Sequence, residues 1–200
     1  MCGRYYLERQ FMSLDDAEEM RHAARVAERL RVSMKTEGEI RPTDIAPVIA
    51  PSREERRPDS FPMQWGFIHP TRGMLVFNTR SETAAEKPML SSSIDERRCI
   101  IPASCYFEWK KTESGKKERY SFRAEDGAPL LLAGLYVLSP GSRLPCFTIL
   151  TCGAAGSIRE LHPRMPVLVP RARAEEWLSP KTDFNGIIRE LGVSVAAARS

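Results

Sequence analysis

The sequence predicts an α+β fold: a single domain over residues 1–192 with a strongly bent, mostly antiparallel, barrel-like β-sheet flanked by helices, followed by a loose tail over 193–200. Three observations predict it. From residue 61 onward, short runs rich in β-branched and aromatic residues alternate with turn-forming segments. A single long stretch of helical period lies near the N-terminus. The chain has 200 residues, enough to bury one real core.

The elements follow in order. Met1–Leu7 reads as a short extended segment. Ser13 and Asp16 form a capping-box pattern, with Glu18 and Glu19 complementing the first turn of a helix that runs to about Leu30. Leu14, Ala17, Met20, Ala24, Ala27 and Leu30 make its apolar stripe, and the arginines opposite read as a solvated face. Residues 41–51 carry three prolines and read as extended, and 52–60 as a charged loop. Strands are expected at Phe61–Ile68 and Met74–Asn78 around the turn HPTRG. Ser81 is expected to cap a short helix through Glu86, ended by Pro88. The run 98–110 reads as strand interrupted at Pro102, and pairs through TESGKK with Glu118–Arg123. Strands Pro129–Leu138, Cys146–Thr151 and Met165–Val169 follow, with a helix over Ala154–Leu161 and helical pieces near 171–178 and 182–191.

Composition narrows the function classes. Thirty basic and 26 acidic residues leave a net charge of +4, so nucleic-acid binding would rest on a local patch. No apolar run is long enough to span a bilayer, and the start lacks a secretory pattern, so a cytoplasmic protein is expected. Five cysteines are expected to be free thiols there. Without a C-x-x-C pair and with scattered histidines, neither a metal site nor a cofactor is expected.

Cys2 carries the most distinctive chemistry. Its side chain is small, so loss of Met1 is expected to expose an α-amine and a thiol on neighbouring carbons. The amine titrates at roughly 8 and the thiol near 8.5, so a useful fraction of the amine is neutral at neutral pH. Such an aminothiol captures aldehydes: the amine forms a Schiff base and the thiol closes a five-membered thiazolidine. Read alone, Cys2 also fits a small buried hydrophobe on a strand.

Glu108, between Phe107 and Trp109, would have a raised pKa if buried, and could then move protons near neutral pH. It also fits a solvent-facing residue paired with Lys110 or Lys111. His162 is an acid/base group or a structural histidine, and Asn78 a substrate contact or a turn residue.

Five motifs occur in a fixed order: MCGRY at 1–5, WG at 65–66, N-x-R-S-E-T at 78–83, IPASCYFEWKK at 101–111 and H-x-R-M-P at 162–166. Together they resemble the SOS-response-associated peptidase (SRAP) family, the abasic-site processing proteins. The resemblance runs from Cys2 to about Val169. It implies a compact bent sheet, a basic groove for single-stranded DNA, and an active site at the N-terminus. It makes Cys2 the nucleophile that forms a thiazolidine with the abasic sugar, Glu108 the proton shuttle, His162 the aid to sugar ring opening or reversal, and Asn78 the residue that positions Cys2 and the sugar. Removal of Met1 would use the Cys2 thiol, alone or with Glu108. Arg4, Arg80 and Arg164 match positions that meet phosphates. Pro47, Trp65, Trp109 and Thr151 match positions that line or support the DNA path. The implied partner is single-stranded DNA with an abasic site, bound by a monomer that joins the nucleoid only with DNA.

Two departures stand out. HPTRG after WG lacks the aromatics that relatives carry there, at about 1–3 kcal/mol of stacking per base. Asp44 stands where relatives often have Asn, and is unfavourable near phosphate unless it pairs with Arg41 or faces away. Two other activities are compatible with the residues: a cysteine peptidase acting on other proteins, and a non-covalent single-stranded DNA module.

Overall fold

The computed structural model describes residues 2–8, 14–52, 57–138, 142–156, 158–192 and 194–200, with backbone alone for 14–20. Two curled sheets face each other. The smaller has β9 (Cys105–Lys111) at its middle, flanked by β1 (Arg4–Leu7) and β10 (Lys117–Ala124), with β2 (Gly38–Ile40) and β14 (Val195–Arg199) as its edge strands. All its pairings are antiparallel.

The larger sheet contains β3 (Ile45–Pro51), β4 (Pro58–Trp65), β7 (Asn78–Arg80), β8 (Arg98–Ala103), β11 (Leu130–Val137), β12 (Cys146–Gly153) and β13 (Arg164–Pro166). β11 pairs with both β8 and β12, so the sheet turns back on itself. Its joins are thin: β3 meets β8 at Ile49↔Ile100, and β4 meets β12 at two residue pairs. It is therefore strongly curled without being a closed barrel. Prolines explain one thin join. Pro47 lies opposite Pro62, and two residues without N–H groups suit only a non-hydrogen-bonded pair. Pro47 thus offers β8 no donor. A two-stranded ribbon of β5 (Phe67–Ile68) and β6 (Leu75–Val76) completes the β-structure.

Strand alternation divides the core in two. Between the sheets lie Cys2, Tyr5, Trp65, Ile101, Tyr106, Phe122 and Phe147. Behind the larger sheet, Ile100, Leu135 and Leu150 pack with Trp177 of α4 (Ala174–Leu178) and Ile187 of α5 (Phe184–Glu190). Arg98 fastens this second layer. It is fully buried, donates to the Ile94 and Thr182 carbonyls at 2.6 Å each, and lies over the Trp177 ring.

Several expectations change. The tail is not loose: β14 pairs with β10 over five residues and buries Val195. In helix α1 (Leu14–Leu30) the covered face holds Ala23 and Ala27, while Ala24 is exposed, because α1 packs on β4, with Ala23 N–H on the Ser60 hydroxyl. The capping box falls on Ser13, outside the described residues, and on Asp16, whose side chain is not described. Strand β4 begins at Pro58, inside the segment read as loop. The break expected at Pro102 comes instead at Ser104, and Ser81 starts only a 3-10 turn, Ser81–Thr83, with Arg80 in the cap position.

Candidate active site

Cys2 enters the space between the sheets just ahead of β1 and is 1% exposed. Its Sγ lies 3.4 Å from the Arg4 carbonyl oxygen. Asn78, first residue of β7, donates from Nδ2 to the Cys2 carbonyl at 2.6 Å. The strand that holds it runs parallel to β12, with Ile149 opposite Asn78. Asn78 Oδ1 is buried without a hydrogen-bond partner among the described residues. β7 thereby ties the N-terminal segment to the larger sheet.

Glu108 projects from the inner face of β9, one register step beyond the Arg4↔Phe107 pair, and is 3% exposed. Burial pushes its carboxyl above the ordinary range, against the pull of nearby positive charge that includes His162. Burial also pushes the Cys2 thiol up, and the neighbouring Glu108 carboxylate adds to the rise, so the thiol stays protonated. His162 follows helix α3 (Ile158–Leu161), and its Nδ1 lies 3.6 Å from Glu108 Oε1. The same nitrogen lies 2.7 Å from the Arg164 carbonyl oxygen and accepts from the Arg164 backbone N–H at 3.1 Å. Cys2, Asn78, Glu108 and His162 thus converge from four separate segments. A thiol, a carboxyl disposed to carry a proton, and an imidazole make nucleophilic and acid/base chemistry available in one apolar enclosure.

A model of the SOS response associated peptidase (SRAP) family matches residues 1–197. The chain belongs to that family. An abasic site processing protein of Bacillus subtilis, YoaM, is 32% identical over 137 residues, covering 64% of this chain and 60% of its own length. Another from that organism, YoqW, is 29% identical over 194 residues, covering 90% of this chain and 81% of its own. YedK of Escherichia coli, also an abasic site processing protein, is 32% identical over 105 residues, or 52% of this chain and 47% of its own. A solved phage-related protein from Bordetella bronchiseptica shares the fold at a TM-score of 0.76 and 23% identity, over 100% of this chain and 94% of its own. A protein from Bacteroides thetaiotaomicron does so at 0.75 and 21%, over 99% and 91%.

The remaining positions expected from the SRAP resemblance divide. Arg4 lies 5.2 Å over the half-buried Trp109 ring at the surface of the smaller sheet. Arg80 is exposed, with no hydrogen bond or ion pair among the described residues. Trp65 does not line a path: it is 0% exposed, packed parallel to Phe147, and donates to the Phe77 carbonyl at 2.8 Å. Thr151 is equally buried, its hydroxyl on the Thr79 carbonyl at 3.4 Å. Pro47 stands on the far side of the larger sheet, at a cavity of about 300 Å³ that Ile49, Ile100 and Leu178 also line. Arg164 is occupied: its two terminal nitrogens grip Glu82 at 2.5 and 2.8 Å, and one also reaches the Thr151 carbonyl at 2.6 Å. That fork holds the Glu82 carboxyl down at about 2. Asp44 is compensated by the Lys35 ammonium at 2.6 Å and the Arg41 backbone N–H at 2.8 Å.

Two side chains that organise these contacts escape sequence reasoning. Glu82 lies within N-x-R-S-E-T, but only the fold brings it to Arg164. Glu39 receives three arginines from three strands or their ends, which no local pattern announces. The buried Tyr106 hydroxyl, by contrast, shares the inner face with Glu108 as period-two alternation predicts, and has no partner among the described residues.

Proposed function

We propose that this SRAP protein captures abasic sites in single-stranded DNA by closing a thiazolidine between Cys2 and the aldehyde of the opened sugar. The observation that carries the reading is the convergence on Cys2: Asn78 anchors its carbonyl at 2.6 Å, and Glu108 lies beside it within 3.6 Å of His162. The names of the relatives, all abasic site processing proteins, point to the same lesion.

Loss of Met1 frees the Cys2 amine and must uncover a thiol that is 1% exposed in the unprocessed chain. His162 delivers a proton to the ring oxygen of the closed sugar while the anomeric hydroxyl gives one up to the Glu108 carboxylate, and the ring opens to the aldehyde with no net change in protons. The amine adds to the carbonyl carbon. Glu108 takes a proton from the amine and returns it to the departing hydroxyl, so water leaves and an imine remains. The thiol then adds across the C=N bond, its proton passing to nitrogen. Aldehyde and aminothiol become a thiazolidine and one water. Holding the groups in place contributes several kcal/mol relative to free encounter, on the order seen for oriented reactions. The reading places Arg4 and Arg80 on the phosphates.

Intact mass of the purified protein, alone and after incubation with an abasic oligonucleotide, tests this directly. Loss of one methionine and a heat-stable adduct short of one water are expected. Cys2→Ala should give no stable adduct, and a normal yield from that variant would reject the mechanism. Cys2→Ser should yield an imine that borohydride traps but no ring. A salt-sensitive complex without any adduct would instead support a non-covalent binder.

A further inference from the structure

The smaller sheet has an outer face that the proposed chemistry does not use. Tyr5, Tyr106 and Phe122 point into the core, so their strand neighbours Arg4, Phe107, Trp109 and Arg119 point outward. The Arg4 guanidinium lies 5.2 Å over Trp109, and that of Arg119 lies 4.6 Å over Phe107. The registers Arg4↔Phe107 and Arg119↔Trp109 set these stacks side by side on adjacent strands.

Three of the arginines here meet one carboxylate. Glu39 accepts from Arg4 at 3.1 Å, Arg41 at 2.8 Å and Arg119 at 3.3 Å. Three cations against one anion leave a surplus of two positive charges. The arginine side chains are 37%, 58% and 39% exposed, and Glu39 only 20%. A guanidinium stacked on a ring is pre-oriented and keeps N–H edges free for phosphate. Arg4 is two residues from Cys2, so the face begins where the reaction would take place.

We propose that this outer face binds the phosphates of the DNA strand flanking the lesion, with Arg119 and Arg41 as contacts beyond Arg4 and Glu39 as the internal anion those phosphates displace. The proposal rests on the single-stranded DNA reading above and extends it. A row of stacked guanidinium groups on an antiparallel sheet suits a flexible single strand, whose backbone can follow the strands and whose bases can lie on the planar groups.

Fluorescence anisotropy on two undamaged single strands, about 6 and about 20 nucleotides long, tests it across a salt series, since a single strand contributes a slope of about 0.7 per phosphate contact. Arg119→Ala should weaken the long strand about five- to tenfold, lower the salt slope by about one contact, and weaken the short strand less. Glu39→Gln should tighten the long strand severalfold, a gain that misfolding does not produce. Unchanged affinity and slope in Arg119→Ala, equal losses at both lengths, or weakened binding in Glu39→Gln would overturn the proposal. Adduct formation by wild-type protein together with unaltered Arg119→Ala binding removes this face alone. Binding that responds as expected, without any adduct, removes the Cys2 chemistry and leaves the face standing.

Discussion

Glu108 bears a cost set by its burial. A carboxyl 3% exposed is held above its ordinary range by burial, so the folded chain binds its proton more tightly than the unfolded chain does. Its contribution to stability is therefore complete below the unfolded value of 4.5 and is lost as pH rises through the higher folded value. Glu108→Gln, which never ionises, should melt at a higher temperature than wild type at neutral pH, with the gap closing near pH 4.5. It should also slow adduct formation. Thermal melts across pH check the first effect, and a higher wild-type melting temperature at pH 7 would contradict it. At this scale the sequence was legible where a motif fixed a role and illegible where burial did. Glu108 and Cys2 stand in quoted motifs and meet. Trp65 stands in one too, yet whether an aromatic faces solvent depends on Tyr5, Phe77 and Phe147 closing around it, and they come from distant segments.

Among the elements, the meeting of β8, β11 and β12 has the least slack. A methyl group at Gly134 would come within 2.5 Å of Ile101 Cδ1 and 3.0 Å of both Cys99 Sγ and the Thr148 carbonyl oxygen. Gly134→Ala should therefore destabilise by about 1–3 kcal/mol through overpacking. Urea denaturation measures it, and a midpoint equal to wild type would show that the layer yields. Period-two runs made most strands readable, including β9, β10, β11 and β12. Helix α1 was read as a helix but with part of its face misplaced. Alanines occupy both 23 and 24, so hydrophobicity could not choose between them, and the contact with Ser60 does. The tail was misread for a related reason: the run is short and small-sided, and Val195–Arg199 becomes strand only because β10 offers it an unpaired edge.

The whole molecule works as a clasp between two sheets. β1 lies between β9 and β2 in the smaller one, Asn78 belongs to the larger, and the bond between Asn78 and the Cys2 carbonyl joins them. The gross α+β plan could be read from the sequence, because alternation and turns are local. The division into two sheets could not, since it depends on which strands pair across tens of residues. The C-terminal strand contributes to this unity by covering β10 and burying Val195. Deleting residues 194–200 should lower the melting temperature by several degrees, as expected for loss of a few kcal/mol in a domain of this size. It should also promote self-association through the bared edge of β10. Light scattering and melting curves report both, and an unchanged, monodisperse truncation would argue against that role.

That last strand also decides how the protein can be handled. Ser200 donates its backbone N–H to the Arg119 carbonyl at 3.0 Å, and its hydroxyl lies 3.2 Å from Arg119 Nε. A purification tag fused after Ser200 would leave the molecule beside the stacked arginines, and on the proposed chemistry one fused ahead of Met1 would block release of the aminothiol.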